Sequence, residues 1–218
     1  MVKLKKGIIQ KEFYSKFTSK NAPSISKNIE KVTIGIAGCG GLGSSAAIAL
    51  VRSGIQNILI VDFDKVEISN LNRQQYSIKN IGKNKVDSLE IILKSINPFV
   101  NVEKHKIKLN EKNIYKVFEK CKIVIEAFDT VTSKSMIIKA FSDPRLKEKY
   151  LITGSGVAGY DSANKIRTKK ISKNIFICGD NKTEPLKTNG IMAPRVLVTA
   201  GHQANKVLQL IAKMKSDN

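Results

Sequence analysis

The chain has 218 residues, of which 42% are hydrophobic and 26% are charged, so it is long enough to form one α/β domain with a full core. Lysine and arginine outnumber aspartate and glutamate by 38 to 18, which gives a formal net charge of +20. No stretch is apolar enough to span a bilayer and the first residues lack the apolar run of a signal peptide, which predicts a soluble, cytoplasmic protein.

The first 30 residues are predicted to form a helical and loop segment ahead of the main domain. Apolar residues in 7–17 recur at helical spacing. Residues 19–27 contain Pro23 and several serines, which is typical of a turn or loop.

Strands and helices alternate through residues 31–218, which we interpret as a single domain. The predicted strands are 31–37, 57–61, 101–108, 121–127 and 150–157, followed by an antiparallel addition at 165–171 and 174–178. The predicted helices are 44–51, 83–95, 110–118, 131–141 and 194–214. This order favours a three-layer, Rossmann-like α/β fold, in which helices cover both faces of a largely parallel sheet that antiparallel strands extend on its C-terminal side.

A glycine-rich turn joins the first of these strands to its helix. Its glycines are Gly38, Gly40, Gly41 and Gly43, and three of them fit the spacing G-x-G-x-x-G. Backbone N–H groups and the helix dipole point at one place in such a turn, which suits a phosphate. Alone, the turn is equally compatible with a dinucleotide-binding dehydrogenase or with a tight structural turn.

Polar residues after the second strand narrow the choice. Asp62 ends that strand, and an acid about 20 residues beyond the glycines commonly binds ribose hydroxyls. A dehydrogenase would explain Asp62 but not the polar residues that follow it, Asp64, Asn70, Arg73 and Gln74. An arginine placed near a triphosphate suits nucleotidyl transfer, because charge builds up on the α-phosphate and on the departing pyrophosphate.

Together these motifs resemble the ubiquitin-activating enzyme superfamily. The pattern D-x-D-x-V-x-x-S-N-L-N-R-Q after G-x-G-G-L-G is similar to its ThiF and MoeB branch, which adenylates small sulfur-carrier proteins. Further matching segments follow in the family's order, at 81–86, 96–98, 126–129, 190–195 and 203–205. The resemblance implies a short ThiF-type adenylyltransferase that uses ATP and magnesium.

The resemblance also implies roles for individual residues. The four glycines would admit the phosphates, Asp62 would bind the ribose, and Arg73 and Lys85 would neutralise the β- and γ-phosphates and then the leaving pyrophosphate. Lys83 is a nearby competitor for Lys85. Asp129, after a buried strand, would bind magnesium together with ATP oxygens, and it is also placed to cap the helix that begins at 131.

Three further polar residues have two interpretations each. Asp64 either helps to hold magnesium or organises the loop that leads to Asn70. The amides of Asn70 and Gln74 either meet phosphate oxygens or brace the loop.

The implied reaction is the adenylation of a C-terminal Gly-Gly carboxylate. The substrate would be a small β-grasp sulfur carrier of the ThiS type, in thiamine thiazole biosynthesis, and the products would be acyl-AMP and pyrophosphate. A carboxylate is already ionised at neutral pH, so positioning and charge stabilisation suffice without a general base. His105 and His202 are therefore expected to be structural, and the family implies a homodimer.

The N-terminal segment departs from the family pattern. Relatives place an arginine there that reaches the partner subunit's nucleotide, but residues 1–30 contain no arginine. A lysine such as Lys5, Lys6 or Lys11 would have to replace it, or the contact is missing. Lysine is the poorer bidentate ligand for phosphate.

The cysteines also depart from the pattern. Many relatives bind zinc through two C-x-x-C pairs, whereas Cys39, Cys121 and Cys178 lie far apart, which predicts no structural zinc. Cys178 lies roughly where some relatives carry an acyl-accepting cysteine. It ends an apolar strand, and we therefore expect a structural role.

Other functions fit the same motifs. They are MoeB-like activation of a molybdopterin-type carrier, modification of tRNA by a relative of the threonylcarbamoyladenosine dehydratases, and a noncatalytic regulatory module. The positive charge has three explanations: solvated lysine-rich surfaces, steering of an acidic partner or ATP, and binding of phosphate backbones. No aromatic residues interleave with the lysines, which leaves nucleic acid as a secondary candidate.

Overall fold

The computed structural model describes residues 9–184 and 189–214, which form a seven-stranded sheet with the order β3-β2-β1-β4-β5-β7-β6. The strands are β1 (Thr33–Ala37), β2 (Asn57–Val61), β3 (Asn101–His105), β4 (Ile123–Glu126), β5 (Tyr150–Gly154), β6 (Arg167–Lys170) and β7 (Ile175–Gly179). The helices are α1 (Gln10–Phe17), α2 (Pro23–Ser26), α3 (Gly41–Arg52), α4 (Lys85–Ile96), α5 (Ile114–Val117), α6 (Val131–Ser142) and α7 (Ala193–Ala212). No described helix is both long and apolar enough to cross a membrane.

The predicted three-layer α/β fold is confirmed, because both faces of the sheet carry helices and apolar side chains. Successive residues of a strand point to opposite faces. Ile34 and Ile36 of β1 accordingly lie in the cluster that includes residues of α3, α4 and α7. Ala37 lies in the cluster that includes residues of α5 and α6. Gly35 leaves room for Phe118 there, since a Cβ atom at Gly35 would lie 2.8 Å from the Phe118 ring.

The switch in strand order lies at β1. The chain adds β2 and β3 on one side of β1, then crosses to add β4, β5 and β7 on the other, and all these strands are parallel. Ala37 is paired with Val61 of β2 and with Glu126 of β4, so the three strands end at one level. Ligands of open α/β sheets bind beyond the carboxyl ends of the strands at such a point.

The C-terminal strands form the predicted antiparallel hairpin, and the hairpin is inserted with β7 next to β5. Cys178 of β7 pairs with Gly154 in parallel and with Thr168 of β6 in antiparallel register. Only β6, at the edge of the sheet, therefore runs against the other strands.

Two local predictions differ from the structure. Residues 19–27 contain the short helix α2, because Pro23 stands in its first turn, where a missing N–H group costs nothing. The helix predicted over 110–118 is confined to Ile114–Val117. The side chains of Asn110 and Asn113 accept main-chain hydrogen bonds in the turn that precedes α5 and hold it out of the helix.

Candidate nucleotide site

The glycine-rich turn is held by close contacts that leave no room for side chains. Gly38 has a φ of +98°, and a Cβ atom there would lie 2.9 Å from the carbonyl oxygen of Ala127. A Cβ atom at Gly43 would overlap the carbonyl oxygen of Gly38, and one at Gly41 would lie 2.9 Å from Val196 of α7. At Gly40, in contrast, the nearest atom would be 3.8 Å away, on Gln74. Three glycines thus serve the packing of the turn, and the space beside Gly40 is open to a ligand.

The N-terminus of α3 opens onto that space. Gly40 is the residue before the first turn of this 12-residue helix, and no side chain from the described part of the chain caps it. The hydroxyl group of Ser44 donates to the carbonyl oxygen of Gly40 at 2.6 Å. The unpaired N–H groups of a helix N-terminus and its dipole favour an anion, so this end of α3 suits a phosphate.

Asp62 braces the turn through both of its carboxylate oxygens. Oδ2 accepts the N–H group of Cys39 at 2.6 Å, and Oδ1 accepts the N–H group of Asp64 at 2.8 Å. Burial raises the pKa of Asp62, although the two backbone hydrogen bonds oppose the rise. Each carboxylate oxygen accepts more than one hydrogen bond, so Asp62 keeps acceptor capacity for a ribose hydroxyl.

Lys85 and Asp64 form an ion pair at the start of α4. The Nζ atom of Lys85 lies 2.8 Å from Oδ2 of Asp64, and the lysine is only 7% exposed. Its competitor Lys83 is exposed. The geometry therefore brings Lys85 rather than Lys83 next to Asp64, and Asp64 is the residue that orients this cation.

Tyr76 is part of this arrangement and was missed by the sequence analysis. Its hydroxyl group donates to the carbonyl oxygen of Cys39, at 2.7 Å, and also lies 3.3 Å from that of Lys85. The phenol thus joins the glycine turn to α4. Burial raises its pKa, so it stays a neutral donor. Nothing in the sequence around Tyr76 signals this contact, because its partners are main-chain atoms.

The loop between β2 and α4 contains Asn70, Arg73 and Gln74. The Oδ1 atom of Asn70 accepts a hydrogen bond from the N–H group of Glu67 at 3.1 Å, so this amide braces the loop. The guanidinium group of Arg73 donates to the carbonyl oxygen of Ser69 at 3.0 Å and pairs with no carboxylate among the described residues. Arg73 also lies beside Gly41, because a Cβ atom there would be 3.6 Å from the arginine Cγ.

Gln74 carries an unused polar atom at the site. The residue is 8% exposed, and its Oε1 atom has no hydrogen-bond partner in residues 9–184 and 189–214. Its Nε2 atom is the nearest neighbour of Gly40. A buried acceptor without a donor is costly, so Gln74 favours a bound group with an N–H or O–H donor at this place.

Asp129 follows β4 on the other side of the turn. Its side chain is exposed and has no partner within the described part of the chain. The predicted capping role of Asp129 is wrong, because Thr130 caps α6 and its Oγ1 accepts the N–H group of Ser133 at 3.3 Å. The described residues contain no group of three or more His, Cys, Asp and Glu side chains that could hold a metal ion. Magnesium at Asp129 would therefore take its other ligands from a phosphate and water.

An ion pair between a buried carboxylate and a half-buried lysine fixes the strand end that leads to Asp129. Glu126 is fully buried, and its Oε1 atom accepts Nζ of Lys134 at 2.8 Å and the N–H group of Phe128 at 2.6 Å. Its Oε2 atom accepts the hydroxyl group of Thr153, and Lys134 also donates to the carbonyl oxygen of Gly154 at 2.8 Å. In the sequence, a glutamate within an apolar strand is the signal that could have indicated this pair.

The ThiF family model matches residues 15–218. The chain belongs to the ThiF family. This confirms the resemblance found in the sequence, although the similarity extends further towards the N-terminus than the predicted start at residue 31.

Two curated relatives show how this ThiF-family chain compares with longer proteins. The tRNA threonylcarbamoyladenosine dehydratase of Bacillus subtilis (strain 168) is 33% identical over 161 residues, which are 71% of this chain and 62% of the relative. The adenylyltransferase and sulfurtransferase MOCS3 of Anopheles gambiae is 32% identical over 130 residues, which are 59% of this chain and 29% of the relative. The chain therefore spans less than two thirds of either relative's length.

A solved structure shares the fold over almost its whole length. The tRNA N6-threonylcarbamoyladenosine dehydratase of E. coli in complex with AMP gives a TM-score of 0.80 at 20% identity, and the match covers 94% of this chain and 98% of that chain. At this identity the likeness supports the architecture of the ThiF-family chain.

The cysteines of the ThiF-family chain are all buried. Burial raises the pKa of Cys178 to about 11, and this thiol lies 3.4 Å from the hydroxyl group of Thr168. Burial also raises the pKa of Cys39 in the glycine turn. A buried, protonated thiol is a poor nucleophile, which fits the structural role expected for Cys178.

Of the three lysines considered as replacements for the family's N-terminal arginine, two lie outside the described residues and one makes none of the site contacts given above. Lys5 and Lys6 precede residue 9, where the described residues begin, and Lys11 is exposed on α1. Tyr14 of α1 accepts a hydrogen bond from Asn97 at 2.9 Å, and Asn28 donates to the carbonyl oxygen of Ile211 at 3.2 Å. The described part of the N-terminal segment is thus packed on the main body.

Proposed function

We propose that this chain adenylates a carboxylate with ATP. The observation that carries the proposal is the convergence of an open helix N-terminus, a carboxylate and two cations at the carboxyl ends of β1 and β2. The open end of α3 and Gly40 accept phosphate oxygens, Asp62 accepts a ribose hydroxyl, and Arg73 and Lys85 supply positive charge. Residues 31–218 make up the ATP-binding unit.

The proposed reaction needs positioning more than proton transfer. A carboxylate oxygen attacks the α-phosphorus atom of ATP, a new P–O bond forms, and the bond to the β-phosphate breaks to release pyrophosphate. We propose that Arg73 offsets the charge that the leaving pyrophosphate gains; its position beside Gly41 and its lack of a carboxylate partner among the described residues support this role. Lys85 forms an ion pair with Asp64, which reduces the net positive charge that it offers to a phosphate. Asp129 is the residue we propose for magnesium, which would orient and polarise the phosphates.

The first candidate substrate is the C-terminal Gly-Gly carboxylate of a ThiS-like sulfur-carrier protein, in thiamine thiazole biosynthesis. The support is the family membership and the similarity to MOCS3, which is described as an adenylyltransferase and sulfurtransferase. A molybdopterin-type carrier presents the same tail chemistry. We propose that the protein acts in the cytoplasm as a homodimer.

The second candidate substrate is a carboxylate carried by tRNA. Threonylcarbamoyladenosine has a free carboxylate. Adenylation of that carboxylate would activate it for the loss of water that the name dehydratase describes. The observation that favours this candidate is the similarity to the B. subtilis dehydratase, which extends over 71% of the chain, against 59% for MOCS3.

The deciding experiment is ATP–pyrophosphate exchange with magnesium and one carboxylate substrate at a time. The substrates are a ThiS-like carrier, a molybdopterin-type carrier, each carrier without its Gly-Gly tail, and tRNA with or without threonylcarbamoyladenosine. We expect exchange with an intact substrate and none with its tail-less or unmodified counterpart. Binding of ATP without exchange on any substrate would contradict the proposal and support a regulatory module.

A matched pair of variants ties the exchange to this site. Arg73→Ala should lower the exchange rate by about a hundredfold or more, as the loss of a charged transition-state contact does. Arg52→Ala removes an exposed arginine from the far end of α3 and should leave the rate unchanged. Equal rates for the two variants would remove Arg73 from the mechanism.

A further inference from the structure

Two adjoining cavities lie between the edge strand β6 and the C-terminal half of α7. Their volumes are about 390 and 500 Å³, and they share Thr168, Lys206 and Gln209. We call the two together the basic groove. Because β6 is the outermost strand of the sheet and the proposed ATP site lies at β1, the groove is separate from that site.

The groove is lined by cations. Six of its residues are positively charged, namely Arg167, Lys169, Lys170, Lys173, Lys206 and Lys213. Among the described residues that line it there is no aspartate or glutamate. The sequence has no acidic residue over 162–179 or in α7, so every charged side chain of β6 and α7 is basic.

The opposite edge of the same sheet is different. Lys104 of the edge strand β3 lies 2.6 Å from Asp87 and 2.7 Å from Glu90, and Glu90 also pairs with Lys94 at 2.7 Å. In the ion pairs found between described residues, none of the six groove cations takes part. The lysine of the edge strand β3 is therefore paired with carboxylates, whereas the cations of the edge strand β6 are not.

The cation shared by both cavities is held in place. Lys206 is half-buried, with Nζ 4.3 Å from the centre of the Phe176 ring and 3.0 Å from Oε1 of Gln209. Beside it, the Thr168 hydroxyl group lies 3.0 Å from Nδ1 of His202. Lys170 is two residues from Thr168 and so shares its face of β6, whereas Arg167 and Lys169 occupy the alternate positions of this edge strand. An ordered cation loses less conformational entropy when an anion binds.

We propose that the basic groove binds the phosphate backbone of a nucleic-acid strand. A strand presents one negative charge per nucleotide, which matches a row of unpaired cations better than an isolated anion does. Five of the six cations are lysines, which contact phosphate as point charges and carry little geometric selectivity. Phe176 is buried beneath Lys206, so we expect contacts with phosphates rather than with bases. This binding requires neither ATP nor turnover. It extends the tRNA candidate of the proposed function, and it would also hold if the adenylated carboxylate belonged to a protein carrier.

The test is the binding of a labelled single strand of about 16 nucleotides, as RNA and as DNA, between about 50 and 200 mM salt. The groove variant is Lys170→Gln/Lys206→Gln/Lys213→Gln. The control, Lys112→Gln/Lys116→Gln/Lys120→Gln, removes the same charge from three exposed lysines around α5. We expect the groove variant to lose about tenfold or more in affinity and to reduce the slope of log K against log salt by about 2, since each phosphate contact contributes about 0.7. The control should keep the slope of the unchanged protein.

Three results would overturn the proposal. An equal loss in both variants would mean that the whole surface attracts the strand, and no loss in either would exclude the groove. Tighter binding of poly-glutamate than of RNA, lost in the groove variant, would assign the groove to an acidic protein. Lys170→Gln/Lys173→Gln replaces two exposed side chains and must show the same direction of effect if the triple variant folds less well. ATP–pyrophosphate exchange by the groove variant, with a protein carrier, should be unchanged.

Discussion

The carboxylate of Asp62 accepts the main-chain N–H group of Cys39 at 2.6 Å and so joins the end of β2 to the glycine turn. Its other oxygen holds the N–H group of Asp64, and the residue is buried. A residue expected to bind ribose is thus also a structural element of the site. Any ligand at the turn meets a carboxylate whose position is already fixed.

We therefore expect Asp62→Asn to lower both stability and ATP affinity. An asparagine presents its NH₂ group to one of the two N–H donors, which leaves a buried donor unsatisfied and costs about 1–3 kcal/mol. Urea unfolding and calorimetric titration with ATP measure the two effects. The control Glu148→Gln alters an exposed carboxylate that has no hydrogen-bond or ion-pair partner among the described residues, and it should change the free energy of unfolding by less than about 0.5 kcal/mol. Wild-type stability in Asp62→Asn would show that the turn does not depend on this charge.

Asp129 and Thr130 are neighbours with separable roles. Asp129→Ala should abolish ATP–pyrophosphate exchange and leave the free energy of unfolding within about 0.5 kcal/mol, because the exposed carboxylate has no partner among the described residues. Thr130→Ala removes the cap of α6 and should cost about 1 kcal/mol while exchange continues. Near-normal exchange by Asp129→Ala would remove this residue from the mechanism.

The pair of Glu126 and Lys134 makes a prediction about stability. Lys134→Met leaves a fully buried carboxylate without its cation, and breaking such a pair costs about 3–5 kcal/mol. Glu126→Gln/Lys134→Met should be more stable than Lys134→Met, since it has no uncompensated charge. Lys139→Met, on the same helix, breaks only an exposed 3.5 Å pair with Glu111 and serves as the control, with an effect below about 1 kcal/mol. A double variant no more stable than Lys134→Met would contradict this account.

Cys178 is expected to be inert in the folded protein. Its pKa of about 11 means that the thiolate forms only in strong alkali, and burial also blocks reagents. Alkylation at about pH 8 should therefore be slow in the native state and fast in denaturant, because the ordinary thiol pKa returns on unfolding. Cys178→Ala should retain ATP–pyrophosphate exchange, and loss of exchange would reveal a role for this sulfur in the reaction.

The sequence predicts the parts of the fold that depend on neighbours along the chain. The run Asn57–Val61 is apolar and β-branched, and it forms β2 with the predicted bounds. The sequence pattern predicts Asp129 as the cap of α6, whereas Thr130 caps this helix. Both residue types can cap a helix, and only the local backbone geometry selects one.

The parts that could not be predicted depend on distant pairs. Lys85 meets Asp64 across 21 residues, and Glu126 meets Thr153 across 27. Periodicity carries no information on which charged side chains come together when strands and helices pack. The hydrophobic pattern likewise does not tell whether β6 or β7 lies next to β5, because either strand order would satisfy it.

The charges of β6 also bear on self-association. An edge strand exposes a row of backbone groups that can pair with the edge of another molecule and start aggregation. Three of the four residues of β6 are Arg167, Lys169 and Lys170, so two copies approaching edge to edge would bring like charges together. The same residues that attract an anion would thus hinder the growth of a continuous sheet from one molecule to the next, and this protection should weaken as salt screens the repulsion.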